Sequence, residues 1–347
     1  MTRWLLYGAY GYTGRLLVDE ALRRGHQPVL AGRSPSKVKH LAEQHGLDWL
    51  ALDLADRTAL ERAAADFDLV LHAAGPFIHT GEAMVRACLA GKTHYLDITG
   101  EIPVFEKIYS YHDQARRQGV ALIPGVGFDV VATDCLACYA AEKLPEADSL
   151  EIALVAKGGI SAGTLKTVLE MLPKGGLVRR AGRLVPYPIG VGLKTVRFSN
   201  GKAHLVLPAP TADLTTSFRS TSIPNITAYL ALPSAARSRL GIRLVQKALS
   251  LGPLRRLAQK VVEKTVQGPG EALHQTGKVF IWTRVADRQG RSFEACLETV
   301  EAYRFTALAG IRAVETTLQD RPAGALSPAQ AFGADFVLEI EGTHRLE

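Results

Sequence analysis

The chain has 347 residues, 47% of them apolar and 7% aromatic, with glycine and proline spread along its length. That suffices for two domains with sizeable cores and excludes a disordered or collagen-like polymer. The formal charge of +7 is local, because Arg237 to Lys264 holds eight Lys or Arg residues against Glu263 alone; the near-neutral remainder excludes a general nucleic-acid binder.

Residues 2–9 read as a first strand with no cationic leader, long apolar core or cleavage site ahead of it, so no signal peptide is expected. The most apolar stretch, Gly119 to Ala141, contains Pro124, Asp129 and Asp134 and reads as strand, turn and helix rather than as a membrane span. The four cysteines, Cys88, Cys135, Cys138 and Cys296, are too few for a disulfide framework. Cys135 and Cys138 stand C-x-x-C in an apolar helical stretch without a second pair, so they are expected as buried thiols in a reducing, cytoplasmic setting. The ten histidines form no ligand cluster, and no metal is expected. His72 and His94 read as packed core residues and His112 as a solvent-facing helical one.

The first strand runs directly into Gly8-Ala9-Tyr10-Gly11-Tyr12-Thr13-Gly14, and Arg15 to Arg24 follows as an amphipathic helix. Strand, glycine turn and helix are the setting of a dinucleotide fingerprint: missing Cβ atoms allow a tight turn, and free N–H groups at the helix start hold a pyrophosphate. The spacing is G-x-x-G-x-x-G, one residue from the usual form. A second strand, Gln27 to Gly32, ends in Arg33-Ser34, with Pro35 opening the next helix, Ser36 to Gln44. An acidic residue at this strand end would favour NAD. An arginine pairs with a 2′-phosphate instead, so the cofactor is read as NADP.

The alternation continues with a strand at Trp49–Leu52, a helix at Thr58–Ala65, a strand at Asp68–Ala74 and a helix at Glu82–Ala90. A strand at His94–Ile98, a helix at Val104–Gln118 and a strand at Val120–Pro124 complete it. Six strands alternating with helices predict a parallel sheet covered on both faces, a Rossmann domain. Ligands in such sheets lie at the carboxyl ends of the strands. Those ends carry Asp53 as an adenine contact, the turn Ala74-Gly75-Pro76-Phe77 beside the nicotinamide ribose, the segment Asp97 to Glu101, and Gly125 to Asp129. Asp97 and Asp129 read equally well as caps or turn formers.

Beyond Asp129 the pattern changes. A helix at Ala132–Lys143 precedes a strand at Leu150–Ala156, a loop at 158–163 and a helix at Thr164–Leu172. Gly176 to Thr221 reads as short strands and loops. Lys278–Ala286 and Ser292–Val300 flank Asp287-Arg288-Gln289-Gly290-Arg291 as a β-hairpin, which predicts a mixed or antiparallel sheet in an α+β domain. Helices follow at Ala302–Leu318 and, capped by Ser327, up to Phe332, while Leu346-Glu347 is given no structural weight. The expected division is 1–130 for NADP, 131–305 for substrate or dimerisation, and 306–345 packing back on the first domain. The basic segment 237–264, with Leu240, Leu244, Ala248 and Leu251 at helical spacing, reads as a surface helical hairpin. Its other readings are a peripheral membrane face, an oligomer contact, or a surface for an acidic or carrier-linked substrate.

The segments GAYGYTG, AGR, HAAGPF and GEAMVRACLAGKTHYLDITGE together resemble the saccharopine dehydrogenase-like oxidoreductases, a superfamily that includes trans-acting enoyl reductase-like proteins. Gly127-Phe128-Asp129 with Asp134 resembles the family's GFDxxPxD element, with Ala132 in place of proline. Gly163-Thr164 resembles its S-x-G-T turn, and Tyr303 with Thr306-Ala307 its G-Y-x-x-T-A element, with Ala302 in place of glycine. The likeness covers residues 5–135, thins to 172, is negligible through 176–270 and returns at 296–333. It implies NADP binding, a mixed-sheet second domain and hydride transfer to a small molecule. A Leu/Val/Pro-rich middle suits an apolar or acyl substrate; an amino acid, keto acid or imine, and a non-catalytic NADP sensor, are the alternatives. For reduction of a conjugated C=C bond, Glu101 is the candidate proton donor if burial raises its pKa. Tyr303 is the candidate oxyanion donor, and Asp97 lies beside them at the strand end.

Overall fold

The computed structural model describes residues 3–157, 175–188, 191–231, 251–254, 257–258, 261 and 276–347. The expected loop at 158–163, the helix at 164–172 and most of the basic segment 237–264 lie outside the described residues. The chain divides into two units, Met1–Cys135 with Tyr303–Glu341, and Leu136–Ala302 with Gly342–Glu347.

In the first unit, β1 (Trp4–Tyr7), β2 (Val29–Gly32), β4 (Leu69–His72) and β5 (His94–Asp97) are buried at every position. Runs of this kind form the interior of a parallel sheet with helices on both faces. With β3 (Trp49–Ala51) and β6 (Ala121–Ile123) the order is β3-β2-β1-β4-β5-β6, all parallel, the dinucleotide-binding order. A two-residue strand unforeseen in the sequence, Gly324–Ala325, adds a seventh member beside β6.

The helices between them are α1 (Tyr12–Arg23), α2 (Pro35–His45), α3 (Arg57–Ala65), α4 (Phe77–Gly91), α5 (Ile102–Tyr109) and α6 (His112–Gln118). The helix expected over 104–118 is thus two. The Ser110 hydroxyl donates back to the Lys107 carbonyl at 2.6 Å, a local bond that competes with helix continuation. His112 opens α6 with its ring against Gly324 and Nδ1 2.9 Å from the Ala325 carbonyl; it does not face solvent alone. His72 and His94 are buried as expected, and His94 Nδ1 accepts the Ala121 N–H at 3.0 Å. α7 (Phe128–Lys143) begins four residues before its expected start. Within it Cys135 is buried and Cys138 half-buried.

The long helix Ala302–Asp320 lies against α1 so closely that a methyl group at Gly310 would stand 2.9 Å from Leu17 Cδ2. The short helix Pro328–Phe332 has the full capping box, Ser327 with Gln330. Its Ala329 N–H also donates to the buried Asp134 carboxylate at 3.0 Å.

The second unit is a mixed nine-stranded sheet. Its main path runs Lys194–Arg197, Ala203–Pro208, Asn225–Ala231, Ser149–Lys157, Lys278–Ala286, Ser292–Val300 and His344–Leu346. Asn225–Ala231 pairs parallel with Ser149–Lys157, and the other neighbours along the path are antiparallel. The predicted hairpin pairs Lys278 with Val300 through to Ala286 with Ser292. Leu346 pairs with Cys296, and the Tyr139 hydroxyl donates to the Glu347 carboxylate, so the chain's last two residues are built into the fold. One face of this sheet gathers Val155, Val196, Phe198, Val206, Phe280 and Trp282. A helix at Asp213–Thr221, within the stretch read as strands and loops, is also unforeseen.

Candidate cofactor and active site

The glycine turn after β1 is held by Gly11 N–H to Gly8 O at 3.0 Å and Gly8 N–H to Ala31 O at 2.8 Å. Gly8 has φ +87°, and a methyl group there would stand 2.8 Å from the Ala74 nitrogen. One at Gly14 would stand 2.2 Å from the Gly8 carbonyl oxygen. Only hydrogen fits either position. Gly11 offers α1 no side-chain cap, and the first turn, Tyr12 to Gly14, carries no acid. Uncapped N–H groups on a bare backbone are the features that receive a pyrophosphate.

The adenosine side is built at the end of β2. Ser34 occupies the N-cap of α2, but its hydroxyl turns to Ser36 Oγ at 3.3 Å and caps nothing. Arg33 precedes the helix and Lys37 lies in its first turn, which contains no acid. Both are exposed, and among the described residues neither forms an ion pair. Cations beside the positive end of a helix dipole are adverse unless an anion joins them. A 2′-phosphate offsets all three charges at once, so these residues fit NADP. Burial, then the neighbouring Tyr10 and Asp53, push the Tyr7 hydroxyl up to about 12, while Arg33 opposes them; each of these three side chains therefore lies within electrostatic reach of Tyr7. Asp53 itself is exposed and accepts the Ala55 N–H at 3.0 Å.

The turns after β4, β5 and β6 are tied by one polar network. Asp97 is fully buried. Its Oδ1 accepts the Thr99 and Gly125 N–H groups, each at 2.9 Å, and its Oδ2 accepts the Tyr95 hydroxyl at 2.8 Å. The His72 Nδ1 lies 3.2 Å from that hydroxyl. Because the Tyr95 proton is engaged by Asp97, His72 donates from Nδ1. Burial lowers the His72 pKa to about 3, and burial raises the Asp97 carboxyl to about 6 against the pull of its hydrogen bonds. From Thr99 the network passes to Glu101, whose N–H donates to Thr99 Oγ1 at 3.1 Å. Glu101 in turn accepts the Phe77 and Ile78 N–H groups at 2.8 and 2.9 Å.

These contacts bear on two of the sequence readings. Glu101 is half-buried and both its oxygens accept N–H groups at the start of α4, so it caps that helix. Asp97 is sealed from solvent and accepts three hydrogen bonds, so it ties together the turns after β5 and β6. Gly75 and Pro76 are exposed at the rim, Ala74 abuts Gly8, and Phe77 is buried.

Tyr303, from the start of the long helix, meets Tyr12 edge to face with ring centroids 5.1 Å apart, beside the glycine turn. Three residues on, Thr306 Oγ1 accepts the Phe128 N–H at 3.1 Å. The next residue, Asp129, lies so near Gly100 that a methyl group there would stand 3.1 Å from its Oδ2. Asp129 is solvent-exposed, yet the surrounding protein raises its carboxyl pKa by desolvation. The sequence had placed Asp129 at a strand end, where it read equally as a cap, and had passed over Lys37; the helical register putting Lys37 in the first turn of α2 was the available signal. A shallow groove of about 330 Å³ on the α3–α4 face, lined by Leu54, Leu60, Ala83 and Ala87, lies apart from these turns. Among the described residues, no group of three or more His, Cys, Asp or Glu side chains could hold a metal, and no helix is long and apolar enough to cross a membrane.

Residues 4–123 match the saccharopine dehydrogenase NADP binding domain. A Mycobacterium tuberculosis protein with a provisional trans-acting enoyl reductase name is 35% identical over 183 residues, covering 48% of this chain and 43% of its own length. The saccharopine dehydrogenase-like oxidoreductase of Bos taurus is 28% identical over 160 residues, covering 40% and 37%. The chain thus spans less than half the length of these two relatives. The trans-acting enoyl reductase of Mycobacterium bovis aligns at 25% identity across 97% of this chain and 95% of its own. In fold, saccharopine dehydrogenase (L-Glu forming) from Saccharomyces cerevisiae superposes over 100% of both chains with TM-score 0.67 and 12% identity. Homospermidine synthase from Legionella pneumophila, in complex with NAD, covers 99% and 91% at TM-score 0.59 and 11% identity. The glycine turn, the cationic start of α2 and these matches agree: residues 4–123 form an NADP-binding domain of the saccharopine dehydrogenase type, within a chain similar to the saccharopine dehydrogenase-like oxidoreductases.

Proposed function

We propose that the protein is an NADPH-dependent reductase acting on an apolar or acyl-type substrate with a conjugated C=C bond. The observation that carries the NADP-linked part is the pair of cations, Arg33 and Lys37, which form no ion pair among the described residues, at the uncapped start of α2. Support for the substrate class comes from the end-to-end alignment with a trans-acting enoyl reductase.

When bound, the reduced nicotinamide supplies a hydride to the electron-poor carbon. The chain's own residues do the rest. The glycine turn and the start of α1 hold the pyrophosphate, and the Asp97 network fixes the three turns that border the reacting end. Asp129 delivers the proton: its raised pKa keeps more of it protonated near neutral pH than an ordinary aspartate. Tyr303 donates a hydrogen bond to the oxyanion that develops as the C=C electrons move toward the carbonyl. Hydride and proton together saturate the double bond, and water reprotonates Asp129.

The test is NADPH oxidation by the purified protein with an enoyl thioester, an imine or a 2-keto acid. Turnover with the enoyl thioester is expected. Turnover with the imine or keto acid alone would move the protein to amino-acid chemistry. Tight NADPH binding with no turnover on any of the three would make it a cofactor-binding sensor.

A further inference from the structure

Gly32 ends β2 outside the left-handed backbone region, so no turn requires a glycine there. The requirement comes from Tyr10. A methyl group at Gly32 would stand 2.4 Å from Tyr10 Cε1 and 3.1 Å from Cδ1, so the Cε1 edge of the ring packs against the bare Cα. From there the Tyr10 hydroxyl reaches the start of α2 and accepts the Ser34 N–H at 3.4 Å. Lys37 Nζ lies 5.9 Å from the ring centroid. The other end of the residue is fixed as well, its carbonyl accepting Arg15 Nε at 3.3 Å. Tyr10 therefore spans from the pyrophosphate turn to the cationic helix start, and Gly32 exists to let it pass.

We propose that Tyr10 is a specificity-determining residue, its hydroxyl reading the cofactor's 2′-phosphate together with Arg33 and Lys37. This rests on the NADP-binding reading of the first domain. A phenol both accepts and donates. While its oxygen takes the Ser34 N–H, its proton remains available to an anionic oxygen, and a hydrogen bond to a charged acceptor is stronger than one to a neutral hydroxyl. The ring also lies within cation–π reach of Lys37, which holds that ammonium near the hydroxyl. A ribose bearing a plain 2′-hydroxyl gains little from any of this, so the residue discriminates rather than simply binds.

The experiment is calorimetric titration of wild type, Tyr10→Phe and Gly32→Ala with NADPH, NADH, adenosine 2′,5′-bisphosphate and AMP. Tyr10→Phe keeps the ring on Gly32 and removes only the hydroxyl. It is expected to weaken NADPH and the bisphosphate about 5- to 20-fold, leaving NADH and AMP within about twofold. Gly32→Ala displaces the ring and is expected to reduce the same preference, with far-ultraviolet circular dichroism confirming the fold. Wild type preferring NADPH while both variants keep its NADPH-to-NADH ratio would overturn the role of Tyr10 and leave the NADP reading intact. Wild type binding neither nucleotide would overturn the underlying reading and the proposal together.

Discussion

The Tyr95 hydroxyl donates to Asp97 at 2.8 Å in the interior of the first unit, where neither side chain reaches solvent. Asp97 has a carboxyl pKa of about 6 against an ordinary 3.8, and burial is the largest cause. The folded state therefore binds this proton more tightly than the unfolded state does. Its contribution to stability declines as pH rises from about 4 to about 6 and is flat above, a loss of about 3 kcal/mol for a two-unit shift. In Asp97→Asn the amide oxygen can still accept Thr99 and Gly125, and Tyr95 can donate to His72 instead. Thermal melts at about pH 4.5 and 7.5 should show the variant gaining on wild type at the higher pH; parallel shifts would mean that Asp97 does not titrate in this window.

Glu101 caps α4 from 24 residues downstream by accepting the amides of Phe77 and Ile78. Glu101→Gln sets an amide NH2 against one of those N–H donors. It should cost about 1–3 kcal/mol in chemical denaturation and weaken NADPH binding through the loosened turn after β4. An unchanged midpoint and an unchanged Kd would show that the cap is dispensable.

The same contact shows where sequence reading stops. The glycine turn was legible because its demands are local: strand, three glycines and helix fall within Trp4 to Arg23. The start of α4 at Phe77 was not, because its cap arrives from Glu101, and the sequence pattern alone placed the helix at Glu82. The strand Gly324–Ala325 depends on β6, some two hundred residues earlier, and two residues carry no periodicity. The helix Asp213–Thr221 is rich in Thr and Ser, weak helix formers, and buries Asp213, Thr215, Thr216 and Ser217, so tertiary burial rather than propensity holds it. Arg33 was legible from its place at a strand end. Asp129 was ambiguous because an aspartate opening a helix looks like a cap until its surroundings are known.

Among the glycines, Gly14 and Gly25 should separate cleanly. Gly14→Ala drives a methyl group to 2.2 Å from the Gly8 oxygen and should cost about 1–3 kcal/mol or more, with loss of NADPH affinity. Gly25, at φ +80° with open space around its Cα, should cost about 1 kcal/mol on substitution by alanine and leave the Kd unchanged. Equal effects on cofactor binding would remove the glycine turn from the site.

On an enoyl substrate, Asp129→Asn should lower kcat about 100- to 10,000-fold while leaving NADPH affinity within about twofold. Because Asp129 acts as an acid and its pKa is raised, wild-type kcat should fall as pH rises through that value, and Asp129→Glu should keep a displaced version of the profile. A comparable kcat loss in Tyr303→Phe, with none in Asp129→Asn, would transfer the proton-donor role to Tyr303.

The central claim is that two cations at an uncapped helix start select a phosphorylated cofactor, and paired titrations of wild type and Arg33→Ala/Lys37→Ala with NADPH and NADH test it most directly. Wild type should bind NADPH at least about tenfold more tightly, and the double variant should lose about 100-fold in NADPH affinity with NADH nearly unaffected. A wild-type preference for NADH, or a double variant that still prefers NADPH to the same degree, would contradict the account.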